Sequence, residues 1–171
     1  MNLPQAPHPQ PSHDLDYPTA WIMILGLIIA IGPLSIDMYL PALPSMAKDF
    51  GVATAFMSNS VPAYFVGLVV GQLFYGPISD RIGRIKPLYV GMVLYVMASV
   101  MCATTTNEYV LFVSRTLQAL GACVGTVVSR AMIRDRLHPK QMAKAFSLMV
   151  LVMGIAPILA PSLGSLLLKV A

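Results

Sequence analysis

This sequence predicts an all-α, polytopic bundle of transmembrane helices, and three observations carry that reading. The chain is 57% hydrophobic and 11% charged, with a mean hydropathy of +0.74, whereas a soluble domain carries about 25% charged residues. Its apolar residues gather into five runs, each close to the roughly 20 residues that a helix needs to cross a bilayer core. Basic residues collect in alternate connections between those runs, which is the distribution that orients membrane helices. The net charge of +4 and pI near 9.2 would suggest an anionic partner for a soluble protein. Here the basic residues sit in short turns between apolar runs, so the expected surroundings are a lipid bilayer and no nucleic acid is expected.

Residues 1–18 hold five prolines and several polar side chains, a composition that predicts a disordered tail. They have no basic segment, and the apolar run behind them is long and lacks a cleavage site. The tail is therefore not read as a secretory signal, and the first run stays as an anchor. Spans are expected at 21–40, 57–78, 87–105, 109–129 and 143–168. The connections are short, so 19–171 should form one bundle of antiparallel neighbours.

The second connection holds Arg81, Arg84 and Lys86, and the fourth holds Arg130, Arg134, Arg136, Lys140 and Lys144. The other two hold Lys48 alone. By this asymmetry the basic connections and the N-terminus are expected in the cytoplasm, and the protein is expected to be a multi-pass component of the inner (cytoplasmic) membrane.

Chemistry should be sought at charges within the apolar core, where an ionisable group costs several kcal/mol and normally faces a cavity or a partner. Asp37 and Arg115 are the two that qualify. Asp37 lies sixteen residues along the first span, about 24 Å, and Arg115 lies six residues, about 9 Å, from the far end of the fourth. Both fall in the outer third and are expected to face each other across a polar cavity. Cys102 and Cys123 are expected at different depths, which disfavours a disulfide and suits buried thiols. His8, His13 and His138 have no ligand spacing. With no cluster of nucleophile, base or metal ligands at membrane depth, an enzyme is not expected.

Four groups of residues resemble known patterns. Gly76, Asp80, Arg81, Gly83, Arg84 and Leu88 resemble the cytoplasmic loop between the second and third helices of the major facilitator transporters, with Ile85 in place of a second basic residue and Lys86 one position later. Arg115, Gln118 and Gly121 resemble the fourth-helix pattern of proton-coupled facilitators, with Ala119 in place of one glycine. Gly154, Pro157, Pro161 and Gly164 resemble the fifth-helix pattern of the antiporters, with Ala160 and Ser165 replacing two glycines. The run 34–44, Leu-Ser-Ile-Asp-Met-Tyr-Leu-Pro-Ala-Leu-Pro, is similar to the bicyclomycin and chloramphenicol resistance branch of the drug:proton antiporters. Gly67, Gly71, Gly76, Gly121 and Gly125 read separately as helix-packing contacts.

The resemblance implies multidrug efflux by drug:proton antiport, with the proton as coupling ion and no other cofactor. Asp37 would carry the proton, loading and releasing it as its hydration and its separation from Arg115 change, with Gln118 beside them. A cationic or neutral drug-like substrate would compete for the same site. Asp80 would act as a latch, Gly83 would permit the turn, and Arg81 and Arg84 would anchor it. The family has twelve helices in two halves, so these five imply the N-terminal part of a longer transporter, a C-terminal half as partner, and no transport by this part alone. The alternatives are a facilitator importing a small metabolite or sugar and a non-transport membrane assembly protein.

Overall fold

The computed structural model describes residues 19–167. The tail 1–18, read above as disordered, and the last residue of the fifth expected span lie outside the described residues. The elements are α1 (Thr19–Asp37), a 3₁₀ turn (Leu40–Ala42), α2 (Leu43–Asp49), α3 (Thr54–Met57), α4 (Ser60–Ile82), α5 (Ile85–Thr104), α6 (Glu108–Arg136) and α7 (Pro139–Leu167). Five helical stretches are long and apolar enough to cross a membrane, and no strand occurs among the described residues.

The helix ends follow local chemistry. Asn107 Oδ1 accepts from the backbone N–H of Tyr109 at 2.9 Å and of Val110 at 3.2 Å, two of the donors that a helix start leaves unpaired. α6 then runs 29 residues, about 43 Å, while a bilayer core is about 30 Å thick. Its last turns therefore project from the core. Arg130, Arg134 and Arg136, expected in a connection, are helical for that reason. Asp80 and Arg81 likewise belong to the last turn of α4, which ends where Gly83 takes φ +88°, a left-handed conformation that favours glycine. The stretch expected as a loop after the first span is largely helical. Pro41 and Pro44 sit in the first positions of the 3₁₀ turn and of α2, where a missing N–H costs nothing.

α6 is the hub, with α1, α4 and α5 packed around it and α7 laid on α1. Glycine permits the close approaches. A methyl at Gly67 would overlap the Thr116 carbonyl oxygen, one at Gly71 would meet Cys123 Cβ at 2.8 Å, and one at Gly125 would meet the Ile28 carbonyl oxygen at 2.8 Å. Gly121 approaches the backbone of Tyr95 on α5 in the same way. Gly76 is the exception, with open space around its Cβ position. The outward faces carry Phe65, Val69 and Leu73 on α4, Val93 and Val96 on α5, and Val150 and Ile158 on α7, all exposed. Such an apolar surface suits lipid as the surrounding solvent.

Candidate functional site

Arg115 is 3% exposed and sits two turns into α6, toward the end opposite the basic turns. No ion pair compensates it among the described residues. It is held instead at the C-terminal end of α1. There Tyr39 N–H turns back to the Ile36 carbonyl at 3.1 Å, so the Ser35 carbonyl lacks its usual helical donor. Both terminal nitrogens of Arg115 donate to that oxygen at 3.3 Å. A helix C-terminus carries roughly half a negative charge, so the contact is electrostatically favourable as well as hydrogen-bonded.

Aromatic faces complete the enclosure. The guanidinium carbon lies 3.8 Å from the Tyr39 ring centroid and 4.8 Å from that of Tyr64, and each such contact is worth about 0.5–2 kcal/mol depending on desolvation. The two rings are fixed in turn. Tyr39 donates to Ser60 Oγ at 2.7 Å, and Tyr64 donates to the Gly32 carbonyl at 3.2 Å. Gln118 Oε1 accepts from Arg115 at 2.7 Å while its Nε2 donates to Ser99 Oγ at 2.8 Å. Ser35 Oγ donates to the Ile31 carbonyl and pairs with Tyr95 hydroxyl at 2.7 Å. α1, α4, α5 and α6 are thus tied at one depth by a single polar network.

These groups border an open cavity of about 320 Å³, lined by Ser35, Tyr39, Ser99, Cys102, Arg115 and Gln118 among others. That volume is at the small end of the range for ligand pockets. Arg115 still has donor capacity, because its Nε–H is buried without an acceptor. Cys102 lines this cavity while Cys123 is buried against α4, and both are free thiols.

Asp37 does not meet the expectation placed on it. It is half-buried as the last residue of α1, two residues from Ser35 and so about 200° around the helix. It neither lines the cavity nor forms an ion pair with Arg115. The structure therefore brings together Arg115 and Gln118 and leaves Asp37 outside. Sequence reasoning missed Tyr64, Tyr95 and Ser99, whose one visible signal was polarity within otherwise apolar spans, and it gave no role to Ser35 and Tyr39 although both lie in the 34–44 run.

At the opposite end Arg84 gathers a second cluster. It pairs with Asp80 one turn back on the chain, donates through Nε to Asp135 Oδ2 at 2.7 Å, and reaches Ser79 Oγ at 2.8 Å. Its pKa is pushed up chiefly by the hydrogen bond to Asp135, with Asp80 adding to it. Gly76, Asp80, Arg84, Arg130 and Arg134 border a cavity of about 350 Å³ there, and Arg81 is exposed outside it. On α7, Gly164 packs against the Met38 carbonyl at the end of α1, Gly154 has open space around it, and Pro157 and Pro161 are exposed.

Comparison with known proteins agrees with this architecture. Residues 25–171 match the family model described as Major Facilitator Superfamily. The chain is 40% identical over 149 residues to an uncharacterized MFS-type transporter, YdgK, of Bacillus subtilis (strain 168), covering 87% of this chain and 37% of that protein. It is 36% identical over 146 residues to multidrug resistance protein D of Escherichia coli (strain K12), covering 85% and 37%. Against multidrug resistance protein MdtL of Klebsiella pneumoniae (strain 342) it is 36% identical over 150 residues, covering 88% and 38%. The chain spans little more than a third of the length of these curated relatives. With the family model matched over most of its length, five membrane-crossing helices and their glycine-mediated packing, this chain belongs to the major facilitator superfamily, whose members are transporters rather than enzymes.

Proposed function

We propose that the chain contributes the N-terminal helices of a multidrug transporter that expels small drug-like molecules across the inner membrane in exchange for protons. The observation that carries this is the buried Arg115 bordering the cavity between α1, α5 and α6, without a carboxylate partner among the described residues. A cation within a membrane span costs several kcal/mol and normally faces a cavity or a partner. Asp37 is the proposed proton carrier and Gln118 the residue that fixes the Arg115 guanidinium. Two relatives named as multidrug resistance proteins support the drug class. The cavity lining carries one formal charge, on Arg115, so this half suits substrates rich in carbonyl, hydroxyl or nitro acceptors better than quaternary ammonium cations. Asp80 is the proposed latch toward a C-terminal half, and the exposed Gly154, Pro157 and Pro161 of α7 are the proposed surface that such a half would pack on, while Gly164 holds α7 against the end of α1.

The test is transport by the full-length protein in proteoliposomes, with chloramphenicol as probe and an imposed proton gradient. The wild type is expected to move the drug against its gradient, and Asp37→Asn to lose that movement while binding the drug. Uphill transport by Asp37→Asn would end Asp37's role, and accumulation in the direction of uptake would favour an importer.

Orientation is tested separately. With the basic turns in the cytoplasm, a cysteine placed at Asn107 should be labelled from outside intact cells by a membrane-impermeant maleimide, and one at Ile85 should not. The reverse pattern would invert the topology.

A further inference from the structure

α4 and α5 each dock on α6 through glycine, Gly67 and Gly71 on one side and Gly91 on the other, yet they touch each other little. Between them lies a groove of about 430 Å³, floored by Leu120 of α6 and walled by Gly71, Phe74, Ile78, Ile82 and Val90. Phe74, Ile78, Ile82 and Val90 are exposed. The wall is apolar along its whole length except at its mouth, where Lys86 lines it.

Two features select an occupant. From Gly71 to Ile82 the groove follows eleven residues of α4, about 16 Å, and one leaflet of a bilayer core is about 15 Å deep. Its charged mouth therefore lies at the level of headgroups and its closed end near the bilayer centre. The charge at the mouth is positive. Lys86 and the neighbouring Arg81 are exposed and neither forms an ion pair among the described residues, while Asp80 and Asp135 are both engaged by Arg84.

We propose that this groove holds one acyl chain of an anionic phospholipid whose phosphate rests on the Lys86 ammonium. Basic pockets between membrane helices recognise anionic headgroups in this way, and one lysine near the surface favours an anionic lipid by about fivefold. The acyl chain fills a slot that neither α4 nor α5 closes.

Native mass spectrometry of the purified protein, titrated with dioleoyl phosphatidylglycerol and dioleoyl phosphatidylcholine, tests this. Wild type should retain about fivefold more phosphatidylglycerol than phosphatidylcholine. Lys86→Gln, at an exposed position, should bring the two lipids level, and Val90→Trp should lower the adducts of both by filling the groove. Lys48→Gln, at the other end of the bundle, should change neither. The proposal is overturned if wild type binds the two lipids equally, if the preference survives Lys86→Gln, or if Lys48→Gln erases it as well. It is also overturned if Val90→Trp lowers thermal stability with the lipid adducts unchanged, since a helix from elsewhere in a longer chain would then occupy the groove.

Discussion

Gly67→Ala is expected to deplete the membrane of folded protein, whereas Gly76→Ala on the same helix leaves the fold intact. A Cβ at Gly67 would overlap the Thr116 carbonyl oxygen and lie 2.9 Å from Ala119 Cβ. Neither neighbour has room to yield. The Thr116 carbonyl is part of the α6 backbone, and Thr116 Oγ1 already binds the Ala63 carbonyl across the same interface at 3.0 Å. α4 would have to move away from α6 and carry Tyr64, one turn earlier, off Arg115. Overpacking of this kind costs about 1–3 kcal/mol and sometimes more. Membrane helices feel it fully, because close packing rather than water exclusion holds them together. At Gly76 nothing lies within 4 Å of the added carbon, and alanine favours the helix by about 1 kcal/mol over glycine. The thermal midpoints of the two purified variants decide the matter. Equal midpoints, whether both native-like or both lowered, would remove the claim that Gly67 sets the α4–α6 contact.

The spans were legible because apolar residues in runs of about twenty have one common use, and the helices fall where those runs lie. Their ends were less so. Asp80, Arg81 and Arg130 read as loop residues because charge marks a loop in a sequence, but a helix longer than the bilayer core carries its charged turns outside it. α2 was hidden by Pro41 and Pro44, which punctuate a sequence yet fit the first turn of a helix. Arg115 was legible from the cost of burying charge, and Gln118 only through the resemblance of Arg115, Gln118 and Gly121 to a fourth-helix pattern of proton-coupled facilitators. What holds Arg115 was not. The Ser35 carbonyl is free because a helix tightens at its end, and no side chain announces that. Tyr39 and Tyr64 act through ring faces supplied by two different helices. Asp37 was placed beside Arg115 on depth alone, and depth says nothing about which way a helix is turned.

Arg115→Lys is therefore expected to fail nearly as completely as Arg115→Gln in the full-length transporter. An ammonium cannot present two donors to the Ser35 carbonyl while stacking between two rings. Lost stacking and hydrogen bonds of about 2 kcal/mol correspond to a fall in transport of more than tenfold. Tyr39→Phe keeps the ring over the guanidinium and loses the bond to Ser60, so it should retain most transport, whereas Tyr39→Leu removes the face and should fall toward Arg115→Gln. Asp37→Asn should behave differently from all of these. Because Asp37 is not paired with Arg115 here, its neutralisation leaves no stranded charge beside the cavity. It should preserve thermal stability while abolishing the proton dependence of transport. For the same reason the double variant Asp37→Asn/Arg115→Gln should melt no higher than Arg115→Gln alone, since a buried pair would show rescue and two separated groups would not. Thermal midpoints and drug-driven proton flux measured on the same preparations check both halves. Rescue in the double variant would show that the two side chains meet in the transporter, and full activity of Arg115→Lys would show that charge alone, without the aromatic and carbonyl cage, is what the site requires.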